Sequence, residues 1–293
     1  MTDYIISTES TADVSLDFLE QHRIEWLPFH FNIDGKDYPD DIGRTMPLKE
    51  FYDRMRAGSA PFTSQVNAEE YKIFFEKFLK EGHDILHLSL SSGISGTYNS
   101  AMIAMNELSE KYPERKIIVI DTLCACSGLG LLVALAADRR DSGASIDDNA
   151  EYINSKRLSI HHWYFTSDLS ALIRGGRISK AAGFFGQMLN ICPLMNVDRE
   201  GRLQAREKIR TKKRAMETAL HVMEAHCTDG RNHSSRVFVS GADCKEDLDS
   251  MTLRLRELFP KAEVIEGNIG TTIGSHTGPG LIALFFEGDE RED

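Results

Sequence analysis

The order of apolar and polar runs between residues 84 and 140 constrains this chain more than any other feature. Residues 84–90 read as a buried strand, and residues 99 to about 112 as a helix ending before Pro113. Residues 116–120 read as a second buried strand, and residues 124–140 as an apolar helix rich in Gly, Ala and Leu. Short apolar runs alternating with helices at this spacing mark parallel strands of a doubly wound α/β layer. Between the first strand and its helix lies Ser91-Ser92-Gly93-Ile94-Ser95-Gly96-Thr97-Tyr98. Such a turn sits at the carboxyl end of a strand, where α/β proteins bind ligands. The free N–H groups of the following helix favour an anion there. Taken alone, Ser95 or Thr97 reads equally well as a helix cap.

Two further loops of the first half carry small hydroxyl residues. A strand at residues 4–7 runs into Thr8-Glu9-Ser10-Thr11-Ala12-Asp13, and residues 60–67 form a polar loop containing Thr63-Ser64-Gln65. Asn67 should cap the next helix, with Glu70 at the capping-box position. Residues 26–33 alternate as one strand, with Asp34-Gly35 as a hairpin turn into a return strand near residues 36–38.

The pattern changes near residue 161. A strand at 161–166 leads into a short helix stopped by Gly175-Gly176 and flanked by Arg174 and Arg177. Strands at 193–197, 202–209, 235–240, 262–268 and 280–286, with helices at 212–226 and 245–259, describe an α+β unit. Residues 270–280, containing Gly274-Ser275-His276-Thr277-Gly278-Pro279-Gly280, read as a glycine-rich loop. The expected architecture is α/β: an N-terminal doubly wound α/β domain at 1–160 with an inserted hairpin near 24–40, and a second α+β domain at 161–293.

Composition removes several function classes. A net charge of −11 argues against a nucleic-acid partner, because phosphate binding needs clustered Lys and Arg. No run reaches the roughly 18 apolar residues of a membrane span, and residues 1–6 do not read as a signal peptide. The five cysteines include no C-x-x-C pair, so neither a disulfide framework nor a zinc site is expected and a cytoplasmic location fits. Adjacent His161 and His162 point to opposite sides of a strand, and no histidine pair has metal-ligand spacing. No lysine-bearing phosphate loop is present, so no nucleotide cofactor is expected.

What is left is an anion site of modest size, built from the loop hydroxyls with Arg174, Arg177 and His276. Gly93-Ile94-Ser95-Gly96-Thr97 resembles a nucleophile elbow, but Thr97 replaces its closing glycine. A serine hydrolase acting through Ser95 and His276 is the alternative to a binding protein.

Six blocks in order favour the binding protein over the hydrolase: Ser10-Thr11-Ala12-Asp13, Thr63-Ser64-Gln65, Ser91 to Tyr98, Val119-Ile120-Asp121-Thr122, Asp168-Leu169 leading into Arg174-Gly175-Gly176-Arg177-Ile178-Ser179, and Gly274 to Gly280. Over nearly its whole length the chain resembles the DegV family of bacterial fatty-acid-binding proteins, the acyl-carrying subunits of fatty acid kinase. Glu9 stands where that family usually has aspartate, and Thr122 where it usually has serine. The resemblance implies a non-enzymatic protein, without a cofactor, that carries one long-chain fatty acid. It implies a separate ATP-binding kinase subunit as partner, and acyl phosphate for phospholipid synthesis as the product. Thr63 and Ser95 would hold the carboxylate. His276, Arg174 and Arg177 would lie near the head group or the kinase contact, and Ser92 and Gly96 would complete the binding set. An acyl chain of about sixteen carbons offers on the order of 10 kcal/mol of transfer energy at roughly 0.8 kcal/mol per CH₂. Its enclosed channel would be lined from residues 101–108, 124–137 and 184–189.

Overall fold

The structure, a computed structural model, describes residues 4–178 and 191–292. Its strands are β1 (Tyr4–Glu9), β2 (Ile24–Leu27), β3 (His30–Ile33), β4 (Lys36–Pro39), β5 (Phe62–Ser64), β6 (Asp84–Ser89), β7 (Ile117–Asp121), β8 (Ile160–Phe165), β9 (Leu194–Val197), β10 (Leu203–Glu207), β11 (Arg236–Gly241), β12 (Glu263–Asn268) and β13 (Ile282–Glu287). The first sheet is wholly parallel, in the order β2-β1-β6-β7. The chain leaves β1 for β2 on one side and returns to β6 on the other, so the order reverses between β1 and β6. That reversal opens a crevice beyond the carboxyl ends of the two strands, flanked by the loops after Glu9 and after Ser89.

Helices Ala68–Lys80, Thr97–Lys111, Ser127–Asp141 and Ile146–Lys156 pack on this sheet. Asn67 caps the first with a complete capping box, its side chain accepting from Glu70 N while the Glu70 carboxylate accepts from Asn67 N. Ser145 caps the last in the same way through Asp148 N.

The second sheet has six strands in the order β10-β9-β8-β13-β11-β12, antiparallel except for the β11–β12 pair. Its central strand β13 is buried on both faces, which is why it reads as an unbroken apolar run. Ile282, Leu284 and Phe286 pack with the helices Lys212–His226 and Lys245–Leu258. Ala283 and Phe285 face the opposite way and join the core of the first sheet. Helix Ser127–Asp141 lies between the sheets, touching β1 and β6 on one side and β8, β11 and β13 on the other. A helix so enclosed must be apolar all round, and ten of its residues from Ser127 to Ala137 are buried.

Three local expectations change. Residues 26–33 form two strands, because Pro28 cannot donate to a ladder; β2 joins the parallel sheet, while β3 pairs with β4 and β5 in a small antiparallel sheet. The polar loop at 60–67 contains β5, in which Thr63 pairs with Phe31. The loop at 270–280 is largely a helix, Thr271–Thr277. Its free N-terminal amides are satisfied from the first half of the chain: Gly270 N donates to Asp13 Oδ1 (3.0 Å) and Thr272 N to Asp40 Oδ2 (3.2 Å).

Candidate functional site

A cavity of about 630 Å³ lies between the sheets, within the range of small-molecule sites. Its apolar wall comes from Phe29, Leu90 and Ile94 beside the first sheet, and from Val197, Leu203, Ala283 and Phe285 of the second. Its polar end gathers Thr63, Ser64, Gln65, Ser95, Gly96, Arg177 and His276. Of the expected lining segments, residues 101–108 contribute nothing: Ala101, Ala104 and Leu108 are buried in the ordinary core. From 124–137 only Ala125 and Cys126 reach the cavity. Burial, with the neighbouring Asp13, pushes the Cys126 thiol well up, so it is a neutral wall residue. Residues 184–189 lie outside the described residues.

The polar end is organised by one hydrogen bond. Thr63 Oγ1 and His276 Nε2 are 2.8 Å apart. β5 supplies the threonine and helix Thr271–Thr277 the histidine, from positions 213 apart in sequence. Burial, reinforced by the charges of Arg177 and Arg174, pulls the imidazole down to about 4, so it is neutral near pH 7. Its Nδ1 is buried with no partner among the described residues. Gly175 lets the ring sit there, because a Cβ at 175 would lie 2.8 Å from Nδ1.

Ser95 and Gly96 stand at the N-terminus of helix Thr97–Lys111, where exposed amides and the helix dipole favour negative charge. Ser95 Oγ accepts from Thr97 N at 3.2 Å, which leaves its own O–H free to donate. No hydrogen bond joins Ser95 to His276 among the described residues, so the nucleophile–base contact of a hydrolase is not the contact this fold makes. Gly96 is needed for close approach: a Cβ would come within 2.7 Å of Gln65 Oε1. Arg177 is exposed at the cavity mouth, donating to Gly175 O at 2.8 Å.

Two residues of the expected set stand apart. Ser92 is exposed and directed at Asp121, to which both its amide and its hydroxyl donate, and it does not line the cavity. Arg174 is exposed outside the lining and acts on the site through its field at His276. Neither Arg174 nor Arg177 has a carboxylate partner among the described residues.

A second group of buried polar residues underlies the Ser91–Tyr98 turn, and its members are too far apart in sequence for their spacing to reveal it. Glu9, at the end of β1, accepts from Tyr71 (2.5 Å), Ser89 (2.8 Å) and Leu90 N (3.0 Å). His87 Nε2 stands 3.2 Å from the same carboxylate, and its Nδ1 is 2.9 Å from Ser7 Oγ. Burial alone would raise the Glu9 carboxyl, but the bonds from His87, Tyr71 and Ser89 outweigh it and hold it below the usual range. Since Tyr71 donates to Glu9, it accepts from Thr97 Oγ1, 2.9 Å away. Glu9 thereby ties β1, β6 and the first residue of helix Thr97–Lys111 to one point. The extra methylene relative to aspartate does not prevent this.

The family model "Uncharacterised protein, DegV family" matches residues 4–289. The chain belongs to the DegV family. It is 37% identical over 292 residues to a DegV domain-containing protein of Clostridium perfringens, covering all of both chains. It is 31% identical over 292 residues to a Thermotoga maritima protein named fatty acid-binding protein, covering 98% of each. The solved structure of a fatty-acid-binding DegV family protein from Thermus thermophilus superposes with a TM-score of 0.87 at 26% identity, over 98% of this chain and 99% of that one. The DegV fold thus accounts for both sheets and for the cavity between them.

Proposed function

We propose that this DegV protein holds one long-chain fatty acid, with the acyl chain in the cavity and the carboxylate at Thr63, Ser95 and Arg177. A further part of the reading is that it presents that carboxylate to a separate ATP-dependent kinase, which transfers a phosphoryl group to it and forms an acyl phosphate. The observation that carries the reading is the Thr63–His276 hydrogen bond at the polar end of an otherwise apolar cavity. A neutral His276 that donates Nε2–H to Thr63 Oγ1 leaves the threonine O–H to donate into the cavity. Ser95, whose oxygen already accepts from Thr97 N, offers a second O–H. A buried carboxylate is costly without such donors, and two hydroxyls plus a guanidinium at the mouth satisfy it without a metal. The apolar wall supplies the transfer energy of the acyl chain.

The relatives named for fatty-acid binding support the ligand. The kinase partnership rests on the family resemblance and on the exposed Arg177 at the cavity mouth. The test is direct. The purified chain is extracted with organic solvent and its lipid identified by mass spectrometry; a fatty acid equimolar with protein is expected. The emptied protein is reloaded and offered to a fatty acid kinase with ATP. His276→Ala should then reduce acyl-phosphate formation more than binding, and equal losses would reduce His276 to a structural role.

A further inference from the structure

His161 and His162 are neighbours on β8 and point to opposite faces. His162 turns toward the cavity and accepts from Ala125 N at 3.2 Å. His161 turns away, and there it meets two residues distant in sequence. One is His226, the last residue of helix Lys212–His226; the other is Asp289, just beyond β13. The two imidazole nitrogens and the carboxylate oxygen all lie within 4.8 Å of one another. Asp289 Oδ1 is 3.1 Å from His161 Nε2 and 3.0 Å from His226 Nδ1. Donor atoms around a tetrahedral ion with bonds of about 2.0–2.1 Å stand roughly 3.3 Å apart, close to this spacing. The backbone carbonyl of Asp289, 2.9 Å from His161 Nε2, adds a fourth donor atom at the same point.

We infer that His161, His226 and Asp289 form a binding site for a divalent transition-metal ion of the zinc type. Two imidazoles and a carboxylate suit zinc, cobalt or nickel, whereas magnesium and calcium take oxygen shells. The ligands are held in place. The His161 ring is buried and stacked on Phe286, with centroids 4.9 Å apart and planes within 5°. Asp289 N donates to His226 O at 3.0 Å and Gly288 N to Ser159 O at 2.8 Å, so the backbone presents the carboxylate. His226 closes a long helix, whose carboxyl end favours a cation. The nearest opposing charge, Arg291, donates instead to the carbonyls of Leu123 and Arg157. The Asp289 side chain is 60% exposed and that of His226 35%, so an ion can enter from solvent. A bound ion would fasten residues beyond β13 to β8 and to the helix.

The experiment uses the full chain, stripped with a chelator, dialysed, and titrated with Zn²⁺ by calorimetry and with Co²⁺ by visible absorption. One ion per chain is expected, with an absorption band characteristic of low-coordinate cobalt and a rise in melting temperature. His226→Ala and Asp289→Ala sit at partly open positions and should each weaken binding roughly 10–100-fold, with far-UV circular dichroism and fatty-acid content unchanged. Two results would overturn the assignment: no Zn²⁺ bound by the wild type at micromolar metal, or equal binding by the His226→Ala/Asp289→Ala double variant. The latter would place the metal elsewhere, for instance on the nearby Cys227. Either can occur with fatty-acid binding intact.

Discussion

Two histidines, His87 buried and His276 half-buried, serve this protein in opposite ways. His87 lies in a polar group whose members all find partners: Ser7, Glu9, Tyr71, Ser89 and Thr97 bond to one another, and none of them lines the cavity described above. Among the described residues His276 bonds to Thr63 and its Nδ1 has no partner, and its ring lines the cavity. Satisfied polar groups fix a backbone, and unsatisfied ones next to space are where a ligand completes the bonding. Glu9 and His87 therefore position the turn, while Thr63, oriented by His276, keeps an O–H that on the proposed reading donates to the carboxylate.

The largest effect that separates the two regions should come from Glu9. Glu9→Ala leaves Leu90 N, Ser89, Tyr71 and His87 without the buried carboxylate they share. Breaking a buried pair from one side costs about 3–5 kcal/mol, to be read from urea unfolding. A cost near that of a surface substitution would remove the network from the account.

His276 should show itself through pH. Its folded value is about 4, while the unfolded imidazole titrates near 6.5. As pH falls, the unfolded chain takes up this proton first. The contribution of His276 to stability is thus complete above about 6.5, declines between about 6.5 and 4, and is flat below. The decline has a ceiling of about 3 kcal/mol. The difference between the wild-type and His276→Ala stability–pH curves isolates it; parallel curves would mean that the ring is not buried as described.

Smaller effects are expected at the hydroxyls. Thr63→Ala and Ser95→Ala should each weaken fatty-acid binding by about 1.5–3 kcal/mol, the value of a hydrogen bond to a charged group, with unfolding little changed. Displacement of a fluorescent fatty acid measures this. Ser92→Ala, which loses only an exposed contact to Asp121, should alter stability by about 0.5 kcal/mol or less and leave binding unchanged. A loss equal to that at Ser95 would return Ser92 to the site.

What the sequence made legible was local. The strands around the Ser91–Tyr98 turn and the caps at Asn67 and Ser145 depend on neighbours a few residues away. The family blocks brought Thr63, Ser95 and His276 forward, and the fold sets all three on one cavity. The rest depended on distant partners. Thr271–Thr277 has a poor helix composition, and its ends are satisfied by Asp13 and Asp40, more than 230 positions earlier. Glu9 and His87 are 78 apart and meet only because β1 and β6 are adjacent. His161, His226 and Asp289 share no spacing that a pattern could detect. Ser92 looked equivalent to Ser95, yet the turn directs one to Asp121 and the other to the cavity.

The central claim is that the cavity holds a fatty acid by its carboxylate at Thr63 and Ser95. The most direct measurement is the lipid content of the purified wild-type chain beside that of the Thr63→Ala/Ser95→Ala variant, by extraction and mass spectrometry, with circular dichroism to confirm folding. The account predicts one long-chain fatty acid per wild-type chain and a large loss in the folded variant. A wild-type chain free of fatty acid, or a variant that retains it equally, would contradict it.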